Sequence, residues 1–161
     1  MTAAVLTVSD SSARGHRADL SGPAVKAALE RHKFQVIAVH VVGDEQAAVQ
    51  EAILEMASRA QLVVTTGGTG IAERDITPEA TRAICTRLVE GVAERMRAVG
   101  AQTTRLAALS RGVCGICGRA LVLNLPGSPQ AATESLTAVL DLLPHALELL
   151  AGKTAHDSDN P

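Results

Sequence analysis

Apolar positions along the chain change period repeatedly. Short Val-, Leu- and Ile-rich runs at residues 3–8, 34–42, 61–66 and 119–125 alternate with longer segments in which apolar residues recur at helical spacing. The runs predict strands and the longer segments predict amphipathic helices. Ser21, Gly22 and Pro23 open one helix, with Ser21 as its cap. Val49, Ile53, Met56 and Ala60 share one face of the next, which Asp44 is placed to cap. Thr77 and Pro78 read as the N-cap and first residue of a third, with Glu79 set against its dipole and breaks at Gly91 and Gly100. Ser128 and Pro129 start the last, whose stripe of Leu136, Val139, Leu140, Leu143, Leu147 and Leu150 is kinked at Pro144. Strands alternating with helices, the strands Val-rich and buried, predict an α/β fold: a three-layer, mostly parallel sheet with helices on both faces. The expected organisation is one domain over residues 1–152 and a flexible tail over 153–161.

Composition narrows the function. At 161 residues, with 47% hydrophobic and 20% charged residues and a net charge of −2, the chain is a soluble single domain. One Phe and no Trp or Tyr leave no platform for stacking bases, and no nucleic-acid partner is expected. The amino terminus has no basic leader and no run of about 18 apolar residues occurs, so neither export nor a membrane partner is expected and a cytoplasmic location is. Three cysteines, without disulfide-framework spacing, fit a reducing compartment.

In a parallel sheet of this kind ligands bind beyond the carboxyl ends of the strands. Asp10, Asp44 and Asp75 follow the first, second and third predicted strands, so three acids distant in sequence can converge. The third strand runs into "TTGGTGIAERDITPEA" (65–80), whose glycines allow close backbone approach and expose N–H groups suited to an anion. Backbone donors beside carboxylates suggest a phosphate held with Mg²⁺; a tight connection without a ligand is the plainer alternative. The P-loop pattern is absent, because Lys26, Lys33 and Lys153 all lie outside this loop. The dinucleotide fingerprint fails too, with Glu73 at the third glycine position. Arg74 is suited to pairing with phosphate, or with Glu73 or Glu79 in an ordinary ion pair. Cys114 and Cys117 form a C-x-x-C without the further ligands zinc needs, and incidental packing is the better reading.

The blocks "LTVSD", "GDE", "TTGGTGIAERDITPEA", "LSRG" and "NLPGSP" resemble, in order and across nearly the whole chain, the molybdenum-cofactor biosynthesis domain family, in its single-domain bacterial molybdopterin adenylyltransferase form; the gephyrin G domain is similar. The resemblance implies transfer of AMP from ATP to the terminal phosphate of molybdopterin with Mg²⁺, a homotrimer or hexamer, and hand-over to a downstream molybdate-insertion enzyme. It implies Asp44 and Asp75 as the essential carboxylates and Mg²⁺ ligands, with Ser9 and Asp10 beside them. Thr66, Gly67, Gly68, Thr69 and Gly70 are implied as the phosphate or pterin loop, with Arg74 and Thr77 following. Ser110 is implied on the pterin, and Pro126, Gly127 and Ser128 at the nucleotide wall. A carrier that binds molybdopterin without efficient transfer is the alternative from the same family.

Overall fold

The structure, a computed structural model, describes residues 1–153. The tail predicted for 153–161 lies, from residue 154 onward, outside the described residues. In chain order the elements are β1 (Thr2–Val8), α1 (Asp10–Ala13), α2 (Ser21–Arg31), β2 (Gln35–Val42), α3 (Gln46–Ala57), β3 (Leu62–Thr66), α4 (Thr77–Ile84), β4 (Arg87–Leu88), α5 (Glu90–Thr103), β5 (Cys114–Cys117), β6 (Ala120–Leu125), α6 (Pro129–Thr137) and α7 (Leu143–Leu150), with a 3-10 turn at Arg105–Leu109.

Six strands pair in the order β2-β1-β3-β6-β5-β4. The first four are parallel, and β5 and β4 extend the sheet antiparallel at one edge. The period-two alternation of β1 divides its side chains between two cores. Ala3 and Val5 join α2, α5, α6 and α7 on one face, and Ala4, Leu6 and Val8 join α3 and α4 on the other. Burying a Leu or Ile side chain stabilises by about 1.5–3 kcal/mol, so the fully buried Leu29, Ile53, Leu121 and Leu136 clamp helices and sheet together. The three-layer α/β expectation holds.

Several local expectations do not. β4 and β5, only two and four residues long, have no counterpart among the four strands expected from the pattern, because neither is long enough to alternate. β2 is Val-rich without being buried: it is an edge strand, and Ile37, Val39 and Val41 are exposed. The helical break falls at β4, and α5 runs through both Gly91 and Gly100. Pro144 starts a separate helix, α7, where a first-turn proline is tolerated, so the leucine stripe spans two helices and not one kinked one. No helix of the described residues is long and apolar enough to cross a membrane.

Candidate active site

After β1 the chain crosses to β2 on one side, and after β3 it builds β4, β5 and β6 on the other. A crevice therefore opens beyond the carboxyl ends of β1 and β3, the switch point of the sheet. A cleft of about 350 Å³ fills it, lined by Ser9, Asp10, Asp44, Thr66, Gly67, Gly68, Arg74, Asp75, Gly127 and Ser128. The strand-end loops thus bring together residues spread from 9 to 128.

Asp10 and Asp44 brace one another. The Asp10 N–H donates to Asp44 Oδ2 at 2.8 Å, and the Asp44 N–H donates to Asp10 Oδ1 at 3.0 Å. Asp44 consequently does not cap α3, whose N-cap is Glu45 without a side-chain bond. Its other oxygen, Oδ1, faces the glycine loop, 3.5 Å from where a Gly68 β-carbon would stand. Asp75 closes its own turn by accepting the Ala72 N–H on Oδ2 at 2.9 Å. Asp19, which the sequence pattern did not single out, also lines the cleft. Its Oδ1 accepts the N–H groups of Ser21 (3.1 Å) and Gly22 (3.0 Å), and its Oδ2 accepts the Thr7 hydroxyl at 2.7 Å. The N-cap of α2 is thus Leu20 and not Ser21, and Asp19 just before it meets the first N–H groups; an Asp two residues before Ser-Gly-Pro was the available signal.

The glycine loop leaves β3 through left-handed backbone, Gly67 at φ 101° and Gly68 at φ 62°, which a side chain would strain. Two threonine hydroxyls hold it: Thr66 Oγ1 donates to Pro126 O at 2.7 Å, and Thr77 Oγ1 donates to Gly67 O at 2.9 Å. Thr77 is buried beneath the loop and in neither cleft, and the N-cap of α4 is Ile76. Among the described residues the N–H groups of Gly68, Thr69 and Gly70 meet no acceptor. The amino termini of α2 and α6 border the same cleft, and Ser128 caps α6 by accepting the Ala131 N–H at 3.2 Å. The free Gly68 N–H and the start of α6 make this a favourable place for anions, whereas the first N–H groups of α2 are already taken by Asp19.

A second cleft of about 330 Å³ lies across the loop. Thr69, Gly70, Leu106, Leu109, Ser110 and Pro126 line it, and Gly68, Asp75 and Gly127 line both clefts. The glycine loop is therefore a shared wall, with Ser110 on the side away from Asp10 and Asp44.

A family model described as a probable molybdopterin binding domain matches residues 4–145, a span that encloses every residue of the two clefts. The chain belongs to this family. The molybdopterin adenylyltransferase of Helicobacter pylori (strain J99 / ATCC 700824) is 39% identical over 152 residues, covering 92% of this chain and 86% of that one. The molybdopterin biosynthesis enzyme MoaB of Thermus thermophilus is similar in structure, with a TM-score of 0.89 at 50% identity, covering 94% of this chain and 97% of that one. A MogA structure gives 0.88 at 38% identity, covering 93% and 99%.

In this molybdopterin-binding domain the C-x-x-C pair is split by the sheet. Cys114 packs in one core and Cys117 in the other, because positions three apart on a strand face opposite ways. Burial, with repulsion from Cys85 second, pushes the Cys114 thiol up to about 12; burial, with repulsion from Cys117 second, pushes Cys85 up to about 11. Neutral thiols of this kind are packing residues, poor as metal ligands or nucleophiles. The carboxylates differ. Asp44 Oδ1 and Asp75 Oδ1 have no donor among the described residues, which suits a hard cation that takes one or two carboxylates and completes its shell with substrate oxygens.

Proposed function

We propose that this protein is a molybdopterin adenylyltransferase, transferring AMP from ATP to the terminal phosphate of molybdopterin. The observation that carries the reading is the wall shared by the two clefts. Gly68, Asp75 and Gly127 border both, so two substrates on opposite sides can bring their phosphates to one place. The adenylyltransferase name of the Helicobacter relative supports the same assignment.

ATP occupies the cleft of Asp10, Asp44 and Ser128, its phosphates met by the free Gly68 N–H, the start of α6, and Arg74. Molybdopterin occupies the Ser110 side, where the exposed Leu106 and Leu109 offer apolar contact to its ring system. A terminal-phosphate oxygen of molybdopterin attacks the α-phosphorus of ATP. A phosphoanhydride bond forms as the bond to the bridging oxygen breaks, and pyrophosphate leaves with that electron pair. The nucleophile is already ionised at neutral pH, so no general base is needed. What the protein supplies is position and fixed donors at the crowded anionic centre. Mg²⁺ bound through Asp44 and Asp75 would supply further charge neutralisation there. The product is adenylylated molybdopterin, ready for a downstream molybdate-insertion enzyme.

The reading includes a cytoplasmic homotrimer. The exposed Ile37, Val39 and Val41 of edge strand β2 support self-association, since grouped surface aliphatics favour contact with another chain. The deciding experiment is pyrophosphate release with fresh molybdopterin, ATP and Mg²⁺. Release that requires all three is expected; bound molybdopterin without release would replace the enzyme with a carrier.

A further inference from the structure

The Leu-Ser-Arg-Gly motif (109–112) contains an arginine to which the reaction above gives no part. Arg111 is engaged on every side. Its Nε donates to Gly70 O at 2.6 Å, Nη2 donates to Asp75 O, Nη1 pairs with Glu79, and its own backbone N–H donates to Thr69 O at 2.9 Å. These partners run from the glycine loop through the Asp75 turn into the first turn of α4, a stretch without regular secondary structure of its own before Thr77. A guanidinium holds its donors in one rigid plane, so it fixes Gly70 and Asp75 relative to each other as a sheet ladder would.

Arg111 is itself held from behind. Arg97 Nη1 donates to Gly112 O at 3.0 Å and to Ser110 O at 3.5 Å, on either side of Arg111 in the chain. A continuous set of bonds therefore runs from α5, through the turn that carries Ser110 in the second cleft, to the main chain of Asp75 on the wall between the clefts.

We propose that Arg111 is a positioning residue for adenylyl transfer: it holds the Asp75 carboxylate at a set place relative to Ser110, and so aligns the two substrate sites. The proposal rests on the reaction assigned above. Its effect falls on kcat more than on KM, because a misplaced Asp75 disturbs the reacting phosphates and leaves most ligand contacts in both clefts intact.

The test is pyrophosphate-release kinetics of wild type, Arg111→Met and Arg111→Lys, with hydrogen exchange across residues 70–76. Arg111→Met lowers kcat about 100-fold, the scale of a displacement near 1 Å at a reacting centre, with KM for ATP changed less than about threefold. Arg111→Lys stays within about threefold of Arg111→Met, since one ammonium cannot bridge both carbonyls. Exchange at 70–76 speeds up in both variants and the rest of the chain keeps its protection. Should Arg111→Met not fold, Glu79→Gln, which loosens one arm of the fork, lowers kcat severalfold at unchanged melting temperature. A kcat within twofold of wild type in folded Arg111→Met, full activity in Arg111→Lys, or unchanged exchange at 70–76 would each overturn the proposal. Absence of pyrophosphate release in wild type would instead overturn the assigned reaction, and the exchange data would still report whether Arg111 holds the loop.

Discussion

Asp10 and Asp44, the first acids after β1 and β2, accept each other's backbone N–H at 2.8 and 3.0 Å. The brace joins two strand ends at the mouth of the cleft and leaves Asp44 with one oxygen turned toward the glycine loop. A single side chain thus has two distinct oxygens, Oδ2 bound in the brace and Oδ1 without a donor among the described residues.

Substitution at Asp44 separates the brace from the charge. Asn keeps an acceptor for the Asp10 N–H and loses the charge, whereas Ala loses both. Turnover is expected to fall about 100-fold or more in both variants, the scale of removing one electrostatic contact at the reacting centre. Unfolding free energy is expected to drop by about 1 kcal/mol in Asp44→Ala alone. Denaturant melts beside pyrophosphate-release kinetics check the pair.

Asp75→Ala is expected to abolish turnover while lowering stability by less than about 1 kcal/mol, since this loop carboxylate lies outside the core. A folded variant with wild-type turnover would remove Asp75 from the reaction.

Gly70→Ala introduces a β-carbon 2.7 Å from Asp75 Oδ2. The carboxylate must move, and turnover is expected to fall about tenfold or more although the added β-carbon meets nothing but Asp75. Circular dichroism and melting temperature close to wild type, beside reduced kcat, are the expected pair of results.

Asn124 is buried and joins polar groups from separate elements: its Nδ2 donates to Thr65 Oγ1 at 3.0 Å and Thr81 Oγ1 at 2.9 Å, and its Oδ1 accepts the Val113 N–H at 3.3 Å. Asn124→Leu keeps the branched shape and strands all three partners without water. A loss of about 2–4 kcal/mol in unfolding free energy is expected from denaturant titration.

The thiols set an alkaline limit. Burial raises Cys114 from the ordinary 9.0 to about 12 and Cys85 to about 11, so both remain protonated in the fold while the unfolded chain ionises from pH 9 upward. The unfolded state then binds fewer protons, and stability falls as pH rises from 9 toward 12, being complete below 9. The melting temperature of Cys114→Ala is expected to decline less steeply between pH 9 and 11 than that of wild type.

Much of the fold was legible because it is written locally. The four parallel strands are runs of apolar residues whose alternation serves two cores, and the first-turn prolines at 78 and 129 mark true helix starts. The residues after each strand were legible as cleft-lining by topology alone: Asp10, Asp44 and the glycine loop lie where a parallel sheet leaves its crevice. Details that depend on which partner a side chain reaches were not. Asp44 and Thr77 look like helix caps by spacing, yet Asp44 bonds across to the loop after β1, Thr77 turns back onto Gly67 in its own loop, and neither is the N-cap.

By itself, then, the sequence determined the four parallel strands, most of the helices and the conformational freedom of Gly67 and Gly68, since hydrophobic period and backbone sterics act between near neighbours. Only the tertiary structure decided that β2 is an exposed edge, that Cys114 and Cys117 face different cores, and that Arg111 secures Gly70 and Asp75, partners 41 and 36 residues away in the chain. Such contacts are set by the packing of sheet and helices, which brings distant backbone carbonyls within reach of a guanidinium, and no local pattern encodes which carbonyls those will be.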